Sequence, residues 1–360
     1  MIRVQDCTYG QFMGRIKGKQ IFCFCAGDNF RKFCEDYSVL SQMEYVVDSY
    51  KAGNLFQMDD KKLPIIFLEQ ITHITDEAVL VLTSVKAADE IVPALDQDSR
   101  FQNMALYVPE MFREDKNDLQ LRAGVQAIPK VIHYCWFGGA PIPDRFQDNI
   151  DSWRKYCPDY EIIQWNESNY DISKNKYMMQ AYESRKWGFV PDYARLDIVL
   201  RYGGIYLDTD VWMVRSFDPL LQFGMFCGFE SRTHINFGQG FGAVKGHPFM
   251  AELRKEYENL EFVSPDGKMN MEHSPAYQTQ TLKRLGIAIN GKLQQKGDFV
   301  VFPPEYFSPL NEFGYGLQTG NTFSVHQYDG SWYNEEQRRI KERVIRNYQY
   351  LAGRMERQEG

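Results

Sequence analysis

Residues 190–215, VPDYARLDIVLRYGGIYLDTDVWMVR, contain two aspartates separated by one residue, Asp208 and Asp210. Carboxylates two apart in extended chain point the same way, so both would face one spot. Like charges aimed at one spot repel, which makes a cation the natural third party. Hard oxygen ligands suit Mg²⁺ or Mn²⁺, with the remaining positions left to water and a substrate phosphate. Upstream, Asp192 and Arg195 lie three apart, on one face of a helix. An arginine fork binds two oxygens at once, which suits a phosphate group. A metal and an arginine beside a departing phosphate would stabilise its developing charge. An isolated D-x-D is often no more than a pair of solvated turn carboxylates. Here the order of helix, Gly-Gly, apolar strand and Asp-Thr-Asp gives the pair its content.

That order predicts the elements that must hold these residues. A helix over 192–202 would present Leu196, Val199 and Leu200 as an apolar stripe, and Gly203-Gly204 would end it in a left-handed turn. Residues 205–207 form a buried strand whose C-terminal end is where open α/β sheets place ligands. Residues 128–139 read as a strand feeding a Gly-Gly loop, 160–165 as the next strand and 178–186 as a helix. Further upstream, apolar runs at 21–25, 45–48, 63–68, 78–83 and 103–108 alternate with helices at 30–39 and 86–95. That is the pattern of a parallel sheet with helices on its faces. The first strand–helix turn, Ala26-Gly27-Asp28-Asn29, lacks the glycines of a dinucleotide fingerprint, so no NAD site is expected. Charge gathers over 113–128 and sets a boundary near 126. The expected organisation is a Rossmann-like α/β domain of unassigned role at 1–126, a catalytic domain at 127–333 and a C-terminal helix at 334–360.

Composition narrows the function. The chain has 360 residues, 44% hydrophobic and 15% aromatic, which is globular rather than disordered. Its 48 acidic residues outnumber 41 basic ones, which speaks against coating nucleic acid. The sequence contains no apolar run long enough for a membrane span, and its first twenty residues hold no signal-like apolar core. Seven irregularly spaced cysteines match no zinc pattern and suit a reduced, cytoplasmic protein. The C-terminal helix interleaves Arg338, Arg339, Lys341, Arg343, Arg346, Arg354 and Arg357 with glutamates, as a solvated face does. A second reading of that helix is peripheral contact with anionic lipid at the inner face of a membrane. Oligomeric state is not legible.

With these residues in view, the chain resembles the DXD-motif glycosyltransferases of family 32. These are relatives of yeast initiating α-1,6-mannosyltransferase and of bacterial capsular polysaccharide transferases, and more distantly of the large clostridial glucosylating toxins. The segments that carry the resemblance are IPKVIHYCWFGG, SWRKYCPDYEIIQW, PDYARLDIVLRYGGIYLDTDV, GFESRTHINFGQGFGAVKGHPFM, VFPPEYFSPL and HQYDGSW, all within about 127–333. The resemblance implies a GT-A-type fold, a nucleotide-sugar donor, Mn²⁺ or Mg²⁺, and hexosyl transfer with retention of configuration. It implies that Asp210 ligates the metal, and that Asp208 contacts donor ribose or sugar and helps hold the metal. Asp192 and Arg195 would bind the donor sugar and diphosphate, and Trp136 would stack on the base. His326, Ser331 and Trp332 would complete the metal and diphosphate site, and Gln239 or Asn236 would lie near the anomeric carbon. Synthesis of a bacterial surface polysaccharide follows as the expected role, with a UDP-sugar favoured over a GDP-sugar and a glycan or lipid-linked glycan as acceptor. Two rivals are a glycoside hydrolase using Asp208 with another carboxylate, and a non-catalytic carbohydrate-binding or scaffold protein.

Overall fold

Alternating short apolar strands and amphipathic helices build two separate α/β units in the computed structural model, which describes residues 1–113, 115, 121, 124–330 and 334–356. The units are Met1–Asp118 with Asn334–Gly360, and Leu119–Tyr333. The α/β class of both units agrees with the expectation from sequence.

The first unit runs β1 (Arg3–Gln5), α1 (Tyr9–Ile16), β2 (Ile21–Phe24), α2 (Asp28–Tyr37), β3 (Val46–Val47), β4 (Leu55–Met58), β5 (Lys61–Ile66), β6 (Val79–Leu82), α3 (Ala88–Gln97) and β7 (Ala105–Tyr107). A helix Glu335–Ala352 and a short strand Met355–Glu356 return to it from the C-terminus. The sheet order is the C-terminal strand, β1, β7, β6, β2, β3, β5, β4, parallel throughout except at the β4–β5 hairpin. Strands β2 (IFCF) and β6 (VLVL) are buried at every position, as central parallel strands covered on both faces should be. The helix Glu335–Ala352, set apart from the domains in the sequence reading, packs within this unit. Val344, Tyr348 and Leu351 form a buried stripe under its charges, and the Asn347 amide donates to the Val85 carbonyl at 2.9 Å. Arg343 pairs with Asp89 and Glu90 at 2.8 and 2.7 Å, and Arg354 pairs with Asp96. No described helix is long and apolar enough to cross a membrane.

The second unit holds β8 (Val131–Cys135), α4 (Asp144–Tyr156), β9 (Glu161–Trp165), α5 (Lys176–Glu183), α6 (Pro191–Tyr202), β10 (Gly204–Tyr206), β11 (Val211–Met213), β12 (Met225–Gly228), β13 (Phe241–Ala243), α7 (Pro248–Lys255), α8 (Ser274–Arg284), β14 (Gln294–Lys296), β15 (Phe299–Phe302) and β16 (Ser324–His326). Seven strands form a mixed sheet in the order β14, β15, β12, β13, β10, β8, β9, with β13 antiparallel to both neighbours. Strands β11 and β16 make a separate antiparallel pair.

The passage from α6 into β10 rests on a buried histidine. Gly203 and Gly204 both have positive φ, 72° and 103°. A Cβ on Gly204 would sit 2.8 Å from the Val131 carbonyl oxygen. The His133 ring lies 2.9 Å from the Gly203 carbonyl through Nε2, and its Nδ1 accepts from the Trp165 indole at 3.1 Å. Nε2 therefore carries the proton and donates, and the ring is neutral. Burial pushes its pKa down to about 4, against the Gly203 carbonyl, which favours the charged form. Unfolded histidine titrates near 6.5, so below that pH the unfolded chain takes up a proton that the folded chain refuses. Stability should fall as pH drops from 6.5 toward 4, by about 3 kcal/mol from this residue alone. Urea unfolding at pH 7 and pH 4.5 checks it. His133→Phe should flatten that slope, and an unchanged slope would mean the ring charges freely in the fold.

Candidate functional site

Helix α6 starts on Pro191 and brings Asp192 and Arg195 into the interior, 3% and 4% exposed. The Arg195 Nη2 atom lies 3.1 Å from Asp192 Oδ1 and 3.4 Å from Asp208 Oδ1, so one guanidinium joins the helix to the D-x-D segment. The guanidinium also sits over the Tyr206 ring, 5.3 Å from its centroid, and the Tyr206 hydroxyl donates to Asp208 Oδ1 at 2.9 Å. The Ser274 side chain, at the start of α8, bonds Asp192 as well.

Asp208 and Asp210 do converge, but not by strand alternation. Residues 208–210 are a turn between β10 and β11, closed by the Val211 amide donating to the Asp208 carbonyl at 3.1 Å. The Asp208 amide donates to the Gly238 carbonyl at 3.0 Å. A Cβ at Gly238 would lie 2.2 Å from Asp208 Oδ2, so a larger residue there would displace that carboxylate. Antiparallel pairing sets Val211 opposite His326, which delivers that histidine to Asp210. His326 Nε2 is 3.3 Å from Asp210 Oδ1, and the Asp329 amide donates to Asp210 Oδ2 at 3.1 Å. One ligand atom from each of Asp208, Asp210 and His326 lies within 4.8 Å of the others.

Electrostatics sorts these groups. Burial pushes the Asp192 carboxyl up to about 7, Arg195 pulling it down and Asp208 raising it further. Burial works against the charge of Arg195, yet Asp208, Tyr206 and Asp192 hold its pKa above the usual value. Burial likewise opposes ionisation of Asp210, and His326 overcomes it and holds the carboxyl below its ordinary value. The trio offers two carboxylate oxygens and one imidazole nitrogen at the rim of a buried carboxylate–arginine cluster. That donor set fits Mn²⁺ or Mg²⁺. The second ring nitrogen, His326 Nδ1, has no hydrogen-bond partner among the described residues.

The other expected residues are placed as follows. Trp136 follows β8, half-buried and edge-on to Phe146 at 5.7 Å, its indole N–H donating to the Ala140 carbonyl. Asn236 is committed, its amide donating to Glu230 at 2.8 Å and accepting from the Gly238 amide at 2.7 Å. Gln239 is fully buried, and neither end of its side-chain amide finds a partner among the described residues. Ser331 and Trp332 lie outside the described residues.

Sequence reasoning missed helix α4, which backs the D-x-D turn. Its Asn149 amide donates to the Thr209 carbonyl at 2.8 Å, and the Trp153 indole donates to the Val211 carbonyl at 2.8 Å. Ser152 Oγ accepts from the Met213 amide at 2.9 Å. The signal was available in Phe146, Ile150 and Trp153, an i, i+4, i+7 apolar stripe behind Pro143. Tyr206 and Ser274 also went unread.

Residues 143–226 match the family described as "Glycosyltransferase sugar-binding region containing DXD motif". Over 140 residues the chain is 31% identical to inositol phosphoceramide mannosyltransferase 3 of Schizosaccharomyces pombe, covering 38% of this chain and 39% of that protein. It is 26% identical to inositol phosphoceramide mannosyltransferase 1 of the same yeast over 228 residues, covering 61% and 67%. The solved structure of PaToxG glycosyltransferase aligns at 20% identity and TM-score 0.34, over 45% of this chain and 71% of that one. The chain thus spans well under half the length of the relative it matches at 31% identity. Asp192, Arg195, Asp208 and Asp210 all fall inside the region that matches this glycosyltransferase family.

Proposed function

We propose that the second unit is a metal-dependent glycosyltransferase. It moves a hexosyl unit from a nucleotide-sugar donor to a hydroxyl of a glycan or lipid-linked acceptor, with retention. The observation that carries this reading is the Asp208–Asp210–His326 trio set directly against the Asp192–Arg195 pair. A divalent cation held by the trio supplies neutralisation of the leaving diphosphate. Asp208 is held in place by the Tyr206 hydroxyl and Arg195, and Asp210 by His326 and the Asp329 amide. In the reaction the bond from the anomeric carbon to the phosphate oxygen breaks and a bond to the acceptor oxygen forms on the same face. The acceptor proton passes to the departing diphosphate, so the chain need not supply a base. The names of the relatives speak of mannosyl transfer to inositol phosphoceramide, which makes mannose the first sugar to try. They lend no support to a UDP preference or to a bacterial surface polysaccharide.

Thermal shift with GDP-mannose and a panel of UDP-sugars, each with Mn²⁺ or EDTA, tests the reading. A ligand at 100 times its Kd stabilises by about 2.7 kcal/mol, which is easily seen. A shift with one nucleotide class that EDTA removes is the expected result. No shift with any of them would sink the transferase reading, because a hydrolase or a scaffold needs neither nucleotide nor metal.

A further inference from the structure

We propose that Asn149 is a positioning residue, whose buried amide ties together the two chain segments bearing the candidate metal ligands, so that metal affinity depends on it. This rests on the metal-site reading above.

Asp208 and Asp210 sit on the turn before β11, whereas His326 ends β16, more than a hundred residues later. Among the described residues the ladder joining the two segments is β11–β16, whose last pair is Val211 with His326. Regular pairing therefore stops where the ligands begin. Beyond it, the Gln327 amide donates to the Asp210 carbonyl at 2.9 Å. The Asp329 amide donates to Asp210 Oδ2 at 3.1 Å, and Asn149, 1% exposed, adds a side-chain tie from behind: Nδ2 donates to the Thr209 carbonyl at 2.8 Å and to Gln327 Oε1 at 3.2 Å. Thr209 lies between the two aspartates and Gln327 follows the histidine. Both amide hydrogens are engaged, while Oδ1 has no partner among the described residues. The orientation is thereby set, since turning the amide over would bring Oδ1 against the Thr209 carbonyl oxygen. Arg145, one turn earlier, reaches the same segment through Asp329 at 2.8 Å, but it is 60% exposed and such pairs contribute little.

The test is Mn²⁺ binding to the full chain by calorimetry, together with the Mn²⁺ activation curve, for wild type, Asn149→Ala, Asn149→Leu and Gln327→Ala. Groups that orient metal ligands from behind typically change affinity by roughly 10–100-fold when removed. Both Asn149 variants should weaken Mn²⁺ binding about tenfold and shift the activation curve, with most of kcat restored at saturating metal. Gln327→Ala, at an exposed position that does not endanger folding, should weaken it by a smaller factor. Tyr160→Phe is the control, because it removes another part-buried side-chain hydrogen bond of this unit, to Asp218 at 2.8 Å. It should lower the melting temperature and leave Mn²⁺ affinity alone. Wild-type affinity in the Asn149 and Gln327 variants overturns the proposal, as does an equal loss in Tyr160→Phe. If wild type itself binds no Mn²⁺, the metal-site reading fails and this inference with it.

Discussion

Asp210→Asn is expected to cut kcat/KM by roughly a thousandfold at any Mn²⁺ concentration, corresponding to about 4 kcal/mol of lost transition-state stabilisation. The geometry predicts that little else changes. Asp210 Oδ2 accepts from the Asp329 amide and Oδ1 faces His326, and an asparagine keeps the size and one acceptor. What it loses is the charge. The cluster around it has a net need for a cation, with Asp192, Asp208 and Asp210 set against Arg195 and one histidine. Removing one carboxylate lowers that demand and takes away a ligand atom in the same step. Without metal, the loss of the His326–Asp210 pair, which favours the ionised carboxyl, should lower the melting temperature slightly, while the Mn²⁺-induced shift should disappear. Steady-state kinetics and paired melts with Mn²⁺ and EDTA read both. A variant that keeps wild-type turnover would remove Asp210 from the metal site.

Much of this site was legible because its residues are close in sequence and of unusual type. Asp192, Arg195, Gly203, Gly204, Asp208 and Asp210 fall within nineteen positions, and helix periodicity plus two glycines was enough to order them. The same reasoning put the two carboxylates together for the wrong reason. Alternation in a strand was assumed, but the backbone turns at 208–210, because Tyr206 and Gly238 hold Asp208 while β16 captures Val211 onward. The supports were harder to see. Asn149 and Ser274 act from helices whose own patterns mark only a buried face, and nothing local says which backbone carbonyl or carboxylate that face will meet. His326 was found through the resemblance, since a lone histidine in a short strand has no periodic signature. The C-terminal helix shows the same limit. Its charges read as solvent-facing, and the buried stripe of Val344, Tyr348 and Leu351 beneath them decides where it packs.

Arg195→Lys should be the second-largest effect, and its pH dependence distinguishes a joint from a simple counter-charge. Arg195 reaches Asp192 and Asp208 at 3.1 and 3.4 Å, lies over the Tyr206 ring, and donates through Nε to the Pro191 carbonyl at 3.3 Å. A lysine carries the charge as a point on a flexible stem and cannot serve both carboxylates with one planar fork. Replacement leaves a buried carboxylate poorly paired, at a cost of about 2 kcal/mol, less than the 3–5 expected for removing the charge outright. Asp192 titrates at about 7 in the folded state. At pH 6 it is largely neutral and asks little of the cation. At pH 8 it is ionised and needs a full share of the cation, so the lysine falls short by more. The stability difference between wild type and Arg195→Lys should therefore widen from pH 6 to pH 8 in urea titrations. kcat/KM should fall by about a hundredfold, because a displaced Asp208 carboxylate meets the metal and donor in the wrong place. A penalty that is flat with pH, together with unchanged kinetics, would show that Arg195 packs near the site without organising it.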